Sequence, residues 1–469
     1  MMDHVNSLCR PASWTTCVCA ALCLLVCILC TGAARTFAMP PGAEDELETE
    51  VREAHIPVFA VAITDPEVIV YERVFGDGAD ADTPFLLGSL SKSFTALGIL
   101  QLEDQGKLSL DDVVRQYVPE AAPSVTIRQL MNHTSGYGTY QTNLAETPSG
   151  VSGEHVYSNL NYALLGCVIE TVSGKTYEAY LQENILEPLE MERTSSDPDI
   201  TRKNGLARQY ENWFGAAVPA EAHFPGPNNW IQPSAGYISS SLNDMARYLR
   251  MYLRGGDGIV SSTERLFSET VYVESEIPYE YGLGWTVMRE PLPETVYRHA
   301  GEVETSMTCM YLLPERQLGI VMLADMNDYL VGTDLLDRIG WNLVLQILEE
   351  EPQPIPAGEY WTRHGTLDGI YAAIIASAAL PLALLGRFRR RVREGRSAGA
   401  CMFTVLVCAT LPTLLLLAPR LFLETPLWVV AAFVPDLHLV LWTAAGLLYA
   451  GGICRSIILR RAQRCRAAA

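Results

Sequence analysis

Lysine is nearly absent from this chain: four occur in 469 residues, and none follows Lys203. Arginine supplies the rest of the 34 basic side chains, against 54 acidic ones, for a formal net charge of −20. The imbalance is local. Residues 40–365 carry 20 Lys and Arg against 49 Asp and Glu, a net of −29, whereas the remainder is basic at +9. So acidic a segment excludes nucleic acid as a partner, because phosphate contacts need basic side chains. Cysteine is equally scarce there. Of twelve cysteines, Cys9, Cys17, Cys19, Cys23, Cys27 and Cys30 stand in or before an N-terminal apolar run, and Cys401, Cys408, Cys454 and Cys465 in or beside C-terminal ones. Cys167 and Cys309 alone remain between, which removes a disulfide framework and any metal-site spacing. They are read as two buried thiols in preference to one bridge. No metal or other cofactor is expected. Residues 40–350 also lack Gly-x-Ser-x-Gly, which argues against an α/β-hydrolase, and no internal repeat is found.

Apolar runs are plentiful at both ends. Trp14 to Ala34, preceded by Arg10, reads as a signal peptide or signal anchor within a leader of residues 1–38, and either one exports the chain beyond it. No small residue directly precedes Cys30, which argues against a lipoprotein signal. Leu367 to Leu385, Cys401 to Leu417 and Leu437 to about Ile458 each approach the ~20 residues that span a bilayer. Three transmembrane helices are therefore expected within 367–458. Arginines crowd residues 387–393 and the tail 459–469, so both segments are expected in the cytoplasm and residues 40–365 outside it. Asp436, after Pro435 and before an apolar helix, reads as an N-cap at the outer interface rather than as an intramembrane functional acid.

Between the ends lies one domain, residues 40–350, followed by a Pro-rich linker over 351–366. Val58 to Thr64 and Val68 to Val74 are β-rich runs around Asp65-Pro66-Glu67, the pattern of a hairpin. The stretch from 109 to about 255 reads as mainly helical, with helices over 127–131, 161–171, 177–184 and 242–253. Strand character returns at 284–289, 307–313 and 318–323, and 331–348 closes with an amphipathic helix. A sheet built from both ends of the domain around a helical insert is the simplest assembly.

The chemistry centres on Gly88-Ser89-Leu90-Ser91-Lys92-Ser93-Phe94. Lys92 is the one lysine that stands three residues after a serine. At the start of a helix that spacing puts hydroxyl and amine on one face, where a desolvated lysine can take the serine proton. Ser89 is thus the candidate nucleophile. A serine–lysine hydrolase also needs a proton shuttle and oxyanion donors. Of two Tyr-x-Asn triplets, Tyr157-Ser158-Asn159 runs from a loop into a helix and is preferred to Tyr210-Glu211-Asn212, which sits in a polar stretch.

These motifs, together with Ile127 to Gly136, Pro188 to Met191, Ala235 to Tyr248 and Tyr281-Gly282-Leu283-Gly284-Trp285, resemble in their order the landmarks of the class C β-lactamase and D-alanyl-D-alanine carboxypeptidase-like serine hydrolases. The likeness covers about residues 50–348. It implies an α+β fold, an antiparallel sheet flanked by helices with a helical subdomain, here joined to transmembrane helices. It further implies that Ser89 attacks a carbonyl, that Lys92 and Tyr157 exchange the proton with either as base, and that Asn159 binds the acyl-side amide. Backbone N–H groups of Ser89 and Glu302 would form the oxyanion hole. The family's third motif, Lys-Thr-Gly or His-x-Gly, falls on His299-Ala300-Gly301, ahead of the strand at Met307. A neutral imidazole there lacks the fixed charge that holds a substrate carboxylate. Many relatives have a Gly-Phe pair shortly after this motif; here that stretch is Glu302 to Met307, which adds two acids, Glu302 and Glu304, to the pocket rim. A peptidase or esterase is therefore expected over an efficient β-lactamase, with a small or peptide-like substrate of cell-wall type. The rival is a sensor that acylates once. His133, within the turn Asn132 to Gly136, reads as structural.

Overall fold

Hydrophobic alternation and turn chemistry draw the two ends of the domain into one sheet. The computed structural model describes residues 37–467, without 225–231, 276, 396–398, 400, 401, 403 and 405. The leader's apolar run lies outside the described residues. The domain and the C-terminal helices form one compact unit, Met39–Ala469.

An acidic helix, α1 (Ala43–Glu53), precedes the hairpin of β1 (Phe59–Thr64) and β2 (Ile69–Phe75). The helical region holds α2 (Ser91–Asp104), α3 (Ile127–Met131), α4 (Asn159–Ser173) and, after a second hairpin of β3 (Gln209–Trp213) and β4 (Ala216–Ala220), α5 (Leu242–Leu253). Six strands then follow: β5 (Val271–Val273), β6 (Tyr279–Tyr281), β7 (Thr286–Met288), β8 (Val296–Val303), β9 (Ser306–Leu313) and β10 (Leu318–Ala324), before α6 (Gly332–Ile347). Among the described residues the large sheet has eight strands in the order β2-β1-β10-β9-β8-β7-β6-β5, every pairing antiparallel. Its centre is apolar on both faces: every residue of β1, β9 and β10 is buried, because α5 covers one side and α1 and α6 the other. α2 is buried on nearly all sides, as its broad apolar distribution predicts.

The antiparallel sheet, the flanking helices and the first hairpin agree with expectation; several details differ. His299-Ala300-Gly301 lies ahead of the strand containing Met307, as expected, and itself forms part of a further strand, β8. The supposedly helical insert contains the β3–β4 hairpin. Cys167 and Cys309 are free thiols, and Cys167 is only half-buried. The linker is shorter than expected, since helix α7 (Glu359–Ala383) begins eight residues before Leu367. Its polar first turns are held by the domain: Tyr360 is fully buried, donates to Gly215 O at 3.0 Å and accepts from Asn212 Nδ2 at 2.8 Å. His364 meets Asp328 at 2.9 Å, both buried. Hence the second Tyr-x-Asn triplet, on β3, serves as a dock for the first C-terminal helix.

Beyond α7 come α8 (Leu385–Arg393), α9 (Leu411–Phe422), α10 (Leu427–Phe433) and α11 (Pro435–Ala467). Among the described residues two helices are long and apolar enough to cross a membrane, Glu359–Arg393 and Pro435–Cys465. The pair Leu406–Phe422 and Leu427–Phe433, bent by 82°, makes a third if it is one span. Thr425 and Pro426 at the bend explain why the middle run does not continue straight, since proline cannot extend a helix that precedes it. Asp436 is not an N-cap: it stands one residue inside α11, and its carboxylate accepts from Leu437 N at 2.6 Å and from Phe214 N, in the β3–β4 turn, at 3.2 Å. At the opposite end Arg389, Arg393 and Arg461 line one cleft, so the two basic segments lie together, with no residue of the 40–350 domain in its lining. The chain's Gly-x-Ser-x-Gly, residues 395–399, falls in this basic region and largely outside the described residues.

Asn212 both donates to Tyr360 Oη and accepts from Gly215 N at 3.0 Å. Asn212→Ala therefore leaves the buried Gly215 amide without its partner and Tyr360 Oη without its donor. It is expected to cost about 1–3 kcal/mol, read as a lowered thermal midpoint of the full chain in detergent micelles; an unchanged midpoint would show that the junction rehydrates freely.

Candidate active site

The candidate nucleophile is held by backbone packing before any catalytic side chain acts on it. Ser89 sits in a short 3-10 turn, Gly88–Leu90, which leads directly into α2. Gly88 has φ of 53°, and a Cβ there would fall 2.3 Å from Glu302 N. A Cβ on Gly301 would fall 2.1 Å from Leu87 O. The turn and β8 thus approach so closely that only glycine fits on either side. Thr308 Oγ1 and Ser306 Oγ tie β9 to Leu87 O and Leu86 O, each at 2.7 Å. The amides of Ser89 and Glu302 consequently belong to one small region of wall.

Lys92 is wholly buried and reaches three oxygens: Ser89 Oγ at 2.9 Å, Asn159 Oδ1 at 2.7 Å and Ala235 O at 2.7 Å. Burial pushes its amine well below the usual lysine range. A neutral amine has two N–H groups and one lone pair. Asn159 Oδ1 and Ala235 O can only accept, so they take both N–H groups, and the lone pair is left for the Ser89 proton. Tyr157 also hydrogen-bonds Ser89, and burial raises its phenol, which stays protonated. Its ring lies 4.8 Å from Lys92 Nζ. The structure therefore brings Ser89, Lys92, Tyr157 and Asn159 into one cluster, with the Asn159 carbonyl committed to the lysine.

His299 is buried beside them, in a different state from a free imidazole. Nδ1 lies 2.7 Å from Ala300 O, an acceptor only, and must carry the proton; Nε2 then accepts from Tyr281 Oη at 3.0 Å. Burial holds its pKa down to about 3. It brings no positive charge to the site at neutral pH. Glu302 is half-buried, and enclosure raises its carboxyl to about 7, partly countered by a bond to Thr333. Glu304 accepts from Tyr237 Oη at 2.7 Å. The acidic rim expected from the sequence is thus one titrating acid and one engaged carboxylate.

His133 holds the Tyr157 loop, in keeping with a structural part. Its Nδ1 accepts from Ser158 N at 3.2 Å and from Asn161 Nδ2 at 3.0 Å, and its ring lies 4.3 Å from that of Tyr157. Two contributors escaped sequence reasoning, Ala235 O and Tyr281 Oη. Both open segments that stand out as landmarks, so the signal was present without a role. Among the described residues no group of three or more His, Cys, Asp or Glu side chains could hold a metal.

This geometry makes two outcomes measurable. Gly301→Ala must push β8 away from the Ser89 turn and is expected to reduce acylation of Ser89 by roughly a hundredfold, with far-UV circular dichroism unchanged. Glu302 is neutral below pH about 7 and charged above it. Acylation by a probe carrying a carboxylate should therefore fall by about tenfold as pH rises through that value, and Glu302→Gln should remove the step. A profile identical in the variant would discount the acid.

The chain is similar to known proteins over most of the domain. Residues 43–338 match the family described as Beta-lactamase. Protein flp of Staphylococcus aureus strain MW2 is 25% identical over 347 residues, covering 65% of this chain and 68% of that protein. Penicillin-binding protein 4* of Bacillus subtilis is 28% identical over 250 residues, 46% of this chain and 55% of the relative. The octameric penicillin-binding protein homologue from Pyrococcus abyssi superposes with a TM-score of 0.60 at 26% identity, over 67% of this chain and 79% of that one. A class C β-lactamase from Rhodobacter sphaeroides shares the fold at a TM-score of 0.55 and 21% identity, over 66% and 99%. With Ser89, Lys92, Tyr157 and Asn159 gathered on this scaffold, the chain belongs to the β-lactamase family of penicillin-binding-protein-like serine hydrolases.

Proposed function

We propose that this protein is a membrane-anchored, extracytoplasmic hydrolase that works through an acyl-enzyme on Ser89, with D-amino-acid peptides or small esters as substrates. The observation that carries the reading is the buried Lys92 amine, whose two N–H groups are occupied and whose lone pair faces the Ser89 hydroxyl. As Ser89 Oγ attacks a carbonyl, its proton passes to Lys92, and the tetrahedral oxyanion is held by the Ser89 and Glu302 amides. Tyr157, protonated at rest, gives its proton to the departing amine or alkoxide and regains one from Lys92. The C–N or C–O bond breaks, leaving the acyl group on Ser89. Water then attacks the ester, losing its proton to the neutral Lys92 amine, and the tetrahedral intermediate collapses as Ser89 Oγ leaves with that proton. Lys92 rather than Tyr157 is the base of the first step, because burial lowers the one and raises the other.

Substrate preference follows from charge. Neutral His299 and the acids Glu302 and Glu304 give a substrate carboxylate little attraction, which favours a peptidase or esterase over an efficient β-lactamase. Among structural neighbours stands a D-stereospecific amidohydrolase from Streptomyces, with a TM-score of 0.51 at 22% identity over 61% of this chain and 94% of that one. Export is supported by the gathering of arginines at the end of the helices away from the domain. The second reading, a sensor that acylates without turnover, draws on the buried contacts between domain and helices at Tyr360 and His364.

The full chain in detergent micelles should be labelled on Ser89 by a fluorescent penicillin and should turn over a chromogenic short-chain ester, both lost in Ser89→Ala. Lys92→Ala should lower acylation by roughly a thousandfold; unchanged labelling would refute its part. Labelling that persists without product release would transfer the assignment to the sensor.

A further inference from the structure

The segment between the last two apolar helices does not hang free; it spans the two lips of the catalytic cleft. On one lip, Ser158 Oγ of the Tyr157 loop donates to Gly138 O at 3.0 Å, and two residues further along, Tyr140 Oη lies 3.4 Å from Thr425 Oγ1. On the other lip, β8 beside Glu302 is tied to the segment that carries Tyr329, since Asn327 Nδ2 donates to Val303 O at 2.6 Å. Tyr329 meets Phe433 edge to face at 5.9 Å. Thr425 and Phe433 bracket α10, the short helix beyond the 82° bend.

The surroundings of these contacts are apolar and outward-facing. Phe422 is 82% exposed and Leu423 70%, Tyr329 and Trp361 are about half exposed, and Trp428 stands on α10 itself. Tryptophan and tyrosine at the point where apolar helices begin mark the headgroup level of a bilayer. That layer is roughly 6 Å deep on each side of the hydrocarbon. Tyr360, His364 and Asp436 fix the helix ends against the domain, so the level is not adjustable by a swinging linker.

We infer that the cleft opens at the bilayer surface, with α10 as part of its wall, and that the substrate is an amphiphile: an ester or amide at headgroup depth attached to a long hydrocarbon chain that stays in the membrane. The inference rests on the hydrolase reading above and narrows its substrate class. The chain of such a molecule runs past Phe433 and Tyr329, while its carbonyl reaches Ser89 between the Tyr157 loop and Glu302. A water-soluble peptide would need none of the apolar wall.

The test uses the full chain in vesicles of phosphatidylcholine and phosphatidylglycerol, supplied with the acetyl and the dodecanoyl ester of the same nitrophenol. The dodecanoyl ester should be hydrolysed with kcat/KM at least tenfold higher, and Phe433→Ala and Tyr329→Ala should each lower the long-to-short ratio fivefold or more. A ratio at or below one overturns the inference and needs no variant. A high ratio that neither variant changes overturns it too, since the preference would then arise from partition into vesicles alone. Turnover of neither ester, together with no labelling of Ser89 by penicillin, overturns the hydrolase reading itself and the inference with it.

Discussion

A single uncharged amine in a dry pocket sets the terms for everything around it. Lys92 could not be buried as an ammonium without a counter-charge, and none is offered: its partners are a hydroxyl, an amide and a backbone carbonyl. The site is therefore built to hold a neutral base. Its walls are aromatic, with Tyr157 and Tyr162 rings within 4.8 and 5.6 Å of Nζ, so the environment lowers polarity without supplying charge. The same shortage of charge extends to His299, which is locked as a neutral tautomer by Ala300 and Tyr281. In the proposed function, one electrostatic choice thus accounts for the activation of Ser89 and for a weak pull on anionic substrates.

Precision comes from backbone rather than side chains. Gly88 and Gly301 let a helix-entry turn lie against a central strand at a spacing no Cβ permits. That contact fixes the amides of Ser89 and Glu302 relative to one another whatever the substrate. The core behind it, from β9 and β10 to α2 and α5, is fully buried and gives the contact something rigid to press on.

How much of this was legible depends on whether side chains or geometry carried it. Ser89 and Lys92 were legible because their spacing is local to one helical turn, and Tyr157 because its loop-to-helix context differs from that of Tyr210. The β1–β2 hairpin and α5 showed their periods openly. Strand β8 did not: Val-Tyr-Arg-His-Ala-Gly-Glu-Val mixes polar residues with a glycine and reads as loop until its neighbours pair with it on both sides. Ala235 was invisible as a ligand of Lys92, because a carbonyl has no residue type. Asn212 was dismissed for its polar surroundings, yet those residues form a dock whose partner, Tyr360, lies 148 positions away. The bend near Thr425 lies beyond the middle run, Cys401 to Leu417, and the short helix after it was not read from composition.

The junction at Tyr360, His364 and Asp436 has a kinetic meaning. A domain on a flexible tether explores a volume, and its encounters follow bulk concentration. On the proposed membrane anchoring, one bolted to its helices can only spin about the membrane normal and drift sideways, so its search is confined to a surface. Encounter then scales with how many targets occupy each patch of that surface, and dilution of the surrounding medium leaves it untouched.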